Sequence, residues 1–324
     1  MTRPDGPGRV GPRRFAAVWA LPIALLLVAA VFAVAEPAFL SFANLTGIVH
    51  RVATTGIMAV GMTFVIMTGG IDLSVGPVLA LSGLLAYMAL ATAGLSTGAA
   101  VAAGLSAGML VGALNGIAVA VLGLPPIIVT LGMLSIVRGG ALMLGGPELH
   151  QISGQPGYTF IGAGFLAGVP FSIWLFAAVA LAMIFLQTQT TLGLQISLIG
   201  DNERAAFLSG RRVRLIKAIA YVLASLTAAA AGIIESSQVY TASATFGEFG
   251  TELDVIAAVV LGGTSLMGGR GSVARTVVGV LFLGVINNGL NIMNVATDVQ
   301  LIMKGAIIVV ALSFSERAAA RQHA

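Results

Sequence analysis

Few residues in this chain could do chemistry, and most of those stand inside or beside apolar runs. The segment Gly69-Gly70-Ile71-Asp72-Leu73-Ser74-Val75-Gly76 follows the apolar stretch that ends at Met67. Two adjacent glycines each weaken a helix by about 1 kcal/mol relative to alanine, so a helix should break there. Asp72 stands two residues past the break and Ser74 two further on. A carboxylate at the bilayer centre costs roughly 2.5–3.5 kcal/mol on insertion scales. A helix start reduces that cost, because it offers free backbone N–H groups and the positive end of the helix dipole. Two readings follow. Gly69, Gly70, Asp72 and Ser74 form a flexible element beside a pathway or at a gate, or Asp72 simply caps the next helix at an ordinary turn. Proton carriage is a third use of the same carboxyl.

Other polar groups sit at membrane depth. Asn115 and Asn288 are uncharged hydrogen-bonding residues suited to the hydroxyls of a polyhydroxy solute, or to a bond with a neighbouring helix. Glu235 and Lys304 lie near helix ends, where long side chains reach the interface. Glu248, Glu252 and Asp254 fall in the segment 240–254, which has no Lys or Arg. That pattern fits either a docking surface or a solvated outer loop.

Several chemistries are excluded. The chain has no cysteine, and its three histidines, His50, His150 and His323, lack ligand-like spacing, so no thiolate, zinc or haem site is expected. No His-Glu-x-x-His motif or Ser/His/Asp set is present. The glycines at 262, 263, 268, 269 and 271 surround Arg270, but a phosphate-cradling P-loop needs Gly-Lys before Ser or Thr. The two lysines, Lys217 and Lys304, follow Ile216 and Met303, so the chain carries no ATPase motif and no cofactor of its own. A net charge of +4 is too small for a nucleic-acid surface.

One polar loop, about 188–216, has the makings of a docking element. Asp201 or Asn202 can cap a short helix whose first turn holds Glu203, and Gly210 can end it. Ala205, Ala206 and Phe207 then form a small apolar knob, with Arg211, Arg212 and Arg214 around it. Alternatively the arginines only hold the loop on one side of the membrane.

The elements that must position these residues are membrane helices. The chain is 58% hydrophobic and 9% charged, against roughly 45–50% and 25% in soluble domains. Lipid is therefore the solvent for most of it. Windows of about 20 apolar residues, the length that spans a roughly 30 Å hydrocarbon core, fall near 15–35, 52–68, 73–92, 98–122, 126–145, 171–187, 217–239, 255–268, 273–292 and 299–315. The expected fold is an all-α polytopic bundle of about ten spans with broken helices, the eighth window being too short to cross unbroken. With the N-terminus inside, thirteen of the 16 Lys and Arg face the cytoplasm, leaving Arg51, Arg138 and Lys304. Both termini are accordingly placed in the cytoplasm. Residues 1–14 and 316–324 read as tails and 15–315 as one transmembrane domain. The N-terminal apolar run exceeds a usual signal core and reads as a span. A faint repeat relates Gly69-Gly70-x-x-Leu73-x-x-Gly76 to Gly262-Gly263-x-x-Leu266-x-x-Gly269, each followed by an Asn-Gly pair, Asn115-Gly116 and Asn288-Gly289.

These blocks also resemble a known family. Gly61–Ile66 with Gly69–Gly76, Pro125–Gly132, Arg138-Gly139, Leu253–Leu266, Gly268–Ser272 and Asn287–Asn291 are similar, in order, to signatures of permease subunits from ribose/xylose-type ABC sugar importers. That group belongs to the branched-chain amino acid/sugar permease superfamily. The resemblance implies a permease in a bacterial inner membrane that pairs with a second permease copy. It also implies a cytoplasmic ATPase that binds ATP-Mg, and an extracytoplasmic sugar-binding protein. Glu203–Gly210 resembles the element with which such permeases dock the ATPase, although Arg204 occupies a position often small there. An ion-coupled carrier using Asp72 or Glu235, or an importer of branched-chain amino acids or nucleosides, is the alternative.

Overall fold

The computed structural model describes residues 12–248, 250–303 and 305–306, with side chains from Trp19 onward. Lys304 and most of the tenth expected span lie outside the described residues. Twelve α-helices run in chain order as far as Ile292: α1 Pro12–Ala35, α2 Phe42–Met67, α3 Val75–Tyr87, α4 Thr97–Gly116, α5 Pro126–Gly145, α6 Pro156–Ala163, α7 Phe171–Gln189, α8 Thr191–Asp201, α9 Glu203–Leu208, α10 Val213–Gln238, α11 Thr251–Leu261 and α12 Val273–Ile292. A further helical stretch starts at residue 297. The strands among the described residues are two-residue pairs, His150–Gln151 with Thr241–Ala242 and Phe165–Leu166 with Val169–Pro170.

Among the described residues, seven helices are long and apolar enough to cross a bilayer: α2, α3, α4, α5, α7, α10 and α12. A terminal π turn extends two of them, Met88–Thr92 after α3 and Ile117–Val121 after α4, and only α3 needs its turn to reach that length. The expected eighth span is α11, whose 11 residues reach about 16 Å, half of the hydrocarbon core. It stops at Gly262 instead of continuing to 268, because the glycine turn ends it.

Helix α2 starts ten residues before the expected 52. Ser41 caps it, its Oγ accepting the Asn44 N–H at 3.3 Å. His50 and Arg51, which mark a span boundary in the sequence, lie inside the helix because other helices supply their hydrogen bonds.

Helix α10 is the axis of the fold, with α2, α3, α4 and α6 packed around it. Its contact with α4 depends on Gly104, Gly108, Gly112 and Gly116, one per turn, facing α10 from Ile233 down to Ala218. A Cβ at Gly108 would lie 2.5 Å from that of Ala229, and one at Gly112 2.7 Å from the Val222 Cα. Small residues at that spacing let membrane helices meet backbone to backbone, where dispersion and not hydrophobic drive holds them. Helices α5 and α7 lie outside this core. Ile128, Ile136 and Met143 of α5 are exposed apolar side chains fit for lipid or a second chain.

Candidate functional site

The break between α2 and α3 is a helix stop followed by a buried polar knot. Gly69 takes a left-handed φ of +78°. Its N–H donates to the Ile66 carbonyl at 2.9 Å, and that of Gly70 to Val65 at 3.1 Å, the paired bonds of a Schellman stop. The chain then turns Asp72 inward. Its Oδ1 accepts the Ser74 N–H at 2.9 Å, the Ser74 hydroxyl at 2.6 Å and the Asn115 amide at 3.5 Å. The Asn115 amide also donates to Ser74 Oγ at 2.9 Å. Asp72, Ser74 and Asn115 are fully buried. The Thr130 hydroxyl of α5 donates to the Ile71 carbonyl at 3.1 Å and holds the loop from the other side.

Asp72 therefore does not cap α3 as expected. Ser74 takes the cap position, and Asp72 accepts the N–H of that residue and not those of the first turn. At this knot three atoms stay without a hydrogen-bond partner: Asp72 Oδ2, Asn115 Oδ1 and the hydroxyl of Tyr221 on α10. A Cβ at Gly70 would lie 2.4 Å from that hydroxyl. The absence of a side chain at Gly70 lets the break lie against α10.

The second glycine pair makes the same stop one residue out of the sequence register. Gly263, at φ +81°, donates to Val260 at 2.8 Å, and Thr264 donates to Val259 at 3.3 Å. Gly69 thus corresponds to Gly263 and not to Gly262. The Asn-Gly pairs are not equivalent, since Asn115 lies in the second helix after its stop and Asn288 in the first.

The expected docking loop, 188–216, folds as two helices, α8 and α9. The Asn202 side chain, not that of Asp201, caps α9 by accepting the Ala205 N–H at 2.9 Å. Glu203 pairs with Lys217 at 3.0 Å. Gly210 ends the element at φ +74°. Ala206 turns inward at 7% exposure, whereas Phe207 and Leu208 are 67% and 76% exposed. The outward apolar pair is thus Phe207 and Leu208, not the expected Ala205-Ala206-Phe207 knob.

At the other end of α10, Asn288 is committed to the bundle. Its amide donates to Asn44 at 3.0 Å, and its carbonyl accepts from Arg51. The segment 240–254, which the sequence offers as either a docking surface or a solvated loop, is tied to the bundle. Ser243 and Ala244 are buried, and Arg138 of α5 donates to the carbonyls of Ala244, Phe246 (2.7 Å) and Gly247 (3.1 Å). The segment folds back until Glu252 meets the start of α3 at Gly76.

A family model for the permease component of branched-chain amino acid transport systems matches residues 44–312, well over half of the chain. This chain belongs to that permease family.

The permease is 41% identical to the ribose import permease protein RbsC of Escherichia coli (strain K12), over 93% of this chain and 96% of the relative. It is 39% identical to the protein of the same name from Bacillus subtilis (strain 168), over 92% of each. The D-allose transport system permease protein AlsC of Escherichia coli (strain K12) is 35% identical over 89% of this chain and 88% of its own length. No solved structure matches. The permease is thus a multi-pass membrane component of a transport system.

Of its expected pathway residues, the fold brings together Gly70, Asp72, Ser74 and Asn115, and places Asn288 elsewhere. Two residues outside that set also hold key positions in the permease. Asn287, beside Asn288, keeps an unpartnered buried carbonyl and lines a small cleft with Val52, Thr55 and Asp254 between α2, α11 and α12. Only helix phase separates the two asparagines, and phase needs the neighbouring helices. Gln187 bridges the Gly271 carbonyl at 3.0 Å and the Val273 N–H at 2.8 Å, and so fixes the start of α12. A glutamine at a helix end gives no sequence signal for that.

Proposed function

We propose that this chain is the membrane-spanning subunit of an ATP-driven importer for a monosaccharide or similar small polyhydroxy solute, in a bacterial inner membrane. Relatives at 35–41% identity over nearly the whole chain bear the names of ribose and allose permeases, which supports a sugar over an amino acid. The subunit works with a second permease copy, a cytoplasmic ATPase and an extracytoplasmic binding protein. It has about ten spans and both termini in the cytoplasm.

The observation that carries this reading is the α8–α9 element. A capped, glycine-stopped helix presents Phe207 and Leu208 to solvent beside Arg204, Arg211, Arg212 and Arg214. Two large exposed apolar side chains on a basic inner loop suit a partner's groove, and a self-contained carrier has no use for them. Glu203, Ala205, Ala206 and Gly210 shape this element, and Phe207 contacts the ATPase. Gly69, Gly70, Asp72, Ser74 and Asn115 form the gate at the α2–α3 break, and Asn288 holds the outer end.

The unpartnered Asp72 oxygen favours a second reading, an ion-coupled carrier. Reconstitution separates the two. Alone in proteoliposomes, the permease should neither hydrolyse ATP nor accumulate ribose. With its ATPase and binding protein, it should do both. Ribose accumulation by the lone chain under a proton or sodium gradient would establish the carrier instead.

A further inference from the structure

Three backbones meet at the inner end of the bundle through glycines. They are the end of α2 at Met67–Gly69, the end of α8 at Gly200-Asp201, and the loop at Met267–Gly269. The Gly269 N–H donates to the Met67 carbonyl at 2.9 Å. A Cβ at Gly200 would lie 1.9 Å from that carbonyl oxygen and 2.3 Å from the Gly269 nitrogen. One at Gly268 would lie 2.9 Å from the Gly200 carbonyl oxygen and 3.0 Å from the Gly69 nitrogen. Gly268 and Gly269 also hold left-handed φ values of +88° and +75°.

We infer that Gly200 is the positioning residue of a backbone joint through which α8 drives the α2–α3 break. The inference rests on the docking reading of α9. Only Asn202 separates α8 from α9, so a push on α9 moves the end of α8. Side chains absorb displacement by changing rotamer, whereas backbones in contact cannot, and close-packed interiors transmit strain. The displaced atom is the carbonyl that ends α2. Asp72 follows five residues later, behind the Gly69 stop, so the same motion reaches the Asp72–Ser74–Asn115 knot. The hydrogen bond from Gly269 makes the loop between α11 and α12 move with it.

Gly200→Ala tests the joint in the complete complex with its ATPase. Gly98→Ala serves as control, since nothing lies within 4 Å of a Cβ there. The chain contains no cysteine, so Leu73→Cys gives a single maleimide probe next to the knot. In the control, adding ATP should change the labelling rate at residue 73. In Gly200→Ala the ATPase should still bind and hydrolyse ATP, but the ATP-dependent change should disappear, and ribose moved per ATP should fall. An unaltered ATP response in Gly200→Ala would overturn the joint and leave the docking reading intact. Failure of the ATPase to bind even the control chain would sink the docking reading and the joint with it.

Should Gly200→Ala not fold, Asp201→Cys with Gly269→Cys supplies the second arm. The Asp201 Cβ lies 3.2 Å from a Cβ placed at Gly269, near the roughly 3.5–4.5 Å of a disulfide. A joint that moves as one body keeps its ATP response and transport when that pair is oxidised. Loss on oxidation with recovery on reduction would mean that the surfaces must part, which overturns the inference.

Discussion

Asp72 carries three hydrogen bonds on one oxygen and none on the other, and no ion pair reaches it among the described residues. The two oxygens therefore predict different mutational outcomes. Asp72→Asn keeps an acceptor for the Ser74 N–H and hydroxyl and gives the vacant side a donor. It should reach wild-type abundance and melt within about 1 kcal/mol of wild type, the scale of one net hydrogen bond. Asp72→Ala strands the buried Ser74 N–H and hydroxyl, while Asn115 keeps its bond to Ser74 Oγ, and should cost about 2–6 kcal/mol, at about 1–3 kcal/mol for each stranded group. Thermal melting in detergent measures both, and equal losses would mean that Oδ1 is not the structural atom. The sequence exposes Asp72 because a carboxyl in an apolar run must be satisfied or used. It does not expose the bond from Asn115, 43 residues away, nor that Asn288 is already bound to Asn44 and Arg51. Those partners are set by tertiary packing, which no local spacing encodes.

At the scale of the element, α9 was legible in its ends and not in its faces. Asn202, Glu203 and Gly210 mark start and stop through backbone chemistry that is local. Six residues make fewer than two turns, so periodicity cannot tell which side turns inward, and only contact with α8 and α10 turns Ala206 in. The consequence separates two substitutions. Phe207→Asp changes an exposed side chain, so membrane abundance should hold. ATPase affinity should fall by about 2 kcal/mol or more, roughly thirtyfold, the effect of losing an aromatic anchor. Ala206→Glu buries a charge and should lower abundance itself. Co-purification normalised to permease level decides between them, and an unchanged ratio for Phe207→Asp would remove α9 from the interface. Gly210→Val should destabilise the element by about 1–3 kcal/mol, because a β-branched residue is strained at positive φ. The anchoring of segment 240–254 is illegible in the sequence for a related reason. Its acidic charges look solvated, yet the Arg138 guanidinium lies more than a hundred residues upstream and forks onto three of its carbonyls. Arg138→Gln should release the segment, and Arg138→Lys should not rescue it, since an ammonium cannot form the fork. Faster labelling of Thr245→Cys would report the release.

Over the whole molecule, α10 supplies the ruler. Its 26 residues extend about 39 Å, enough to cross a roughly 30 Å core with a turn to spare. One end carries Arg212, Arg214 and Lys217 and meets α8 and α9, and the other runs into the strand at Thr241–Ala242 that pairs with His150–Gln151. Because Gly200 touches Gly269, Arg270 joins the same end as the α9 arginines. Charge that the sequence distributes over distant loops is thus gathered at one face, as the positive-inside rule requires of a cytoplasmic side. The prediction concerns the orientation of the whole bundle. Ser153 and Ser209 are exposed at opposite ends, and the absence of native cysteine makes single-cysteine variants clean probes. A membrane-impermeant maleimide should label Ser153→Cys in intact spheroplasts and Ser209→Cys only after the membrane is opened. Thr245→Cys should react slowly in both states while Arg138 holds its segment. Were Ser209→Cys labelled from outside, the α8–α9 element would face away from every source of ATP. The docking surface, the joint at Gly200 and the ATP-driven reading would then fall together.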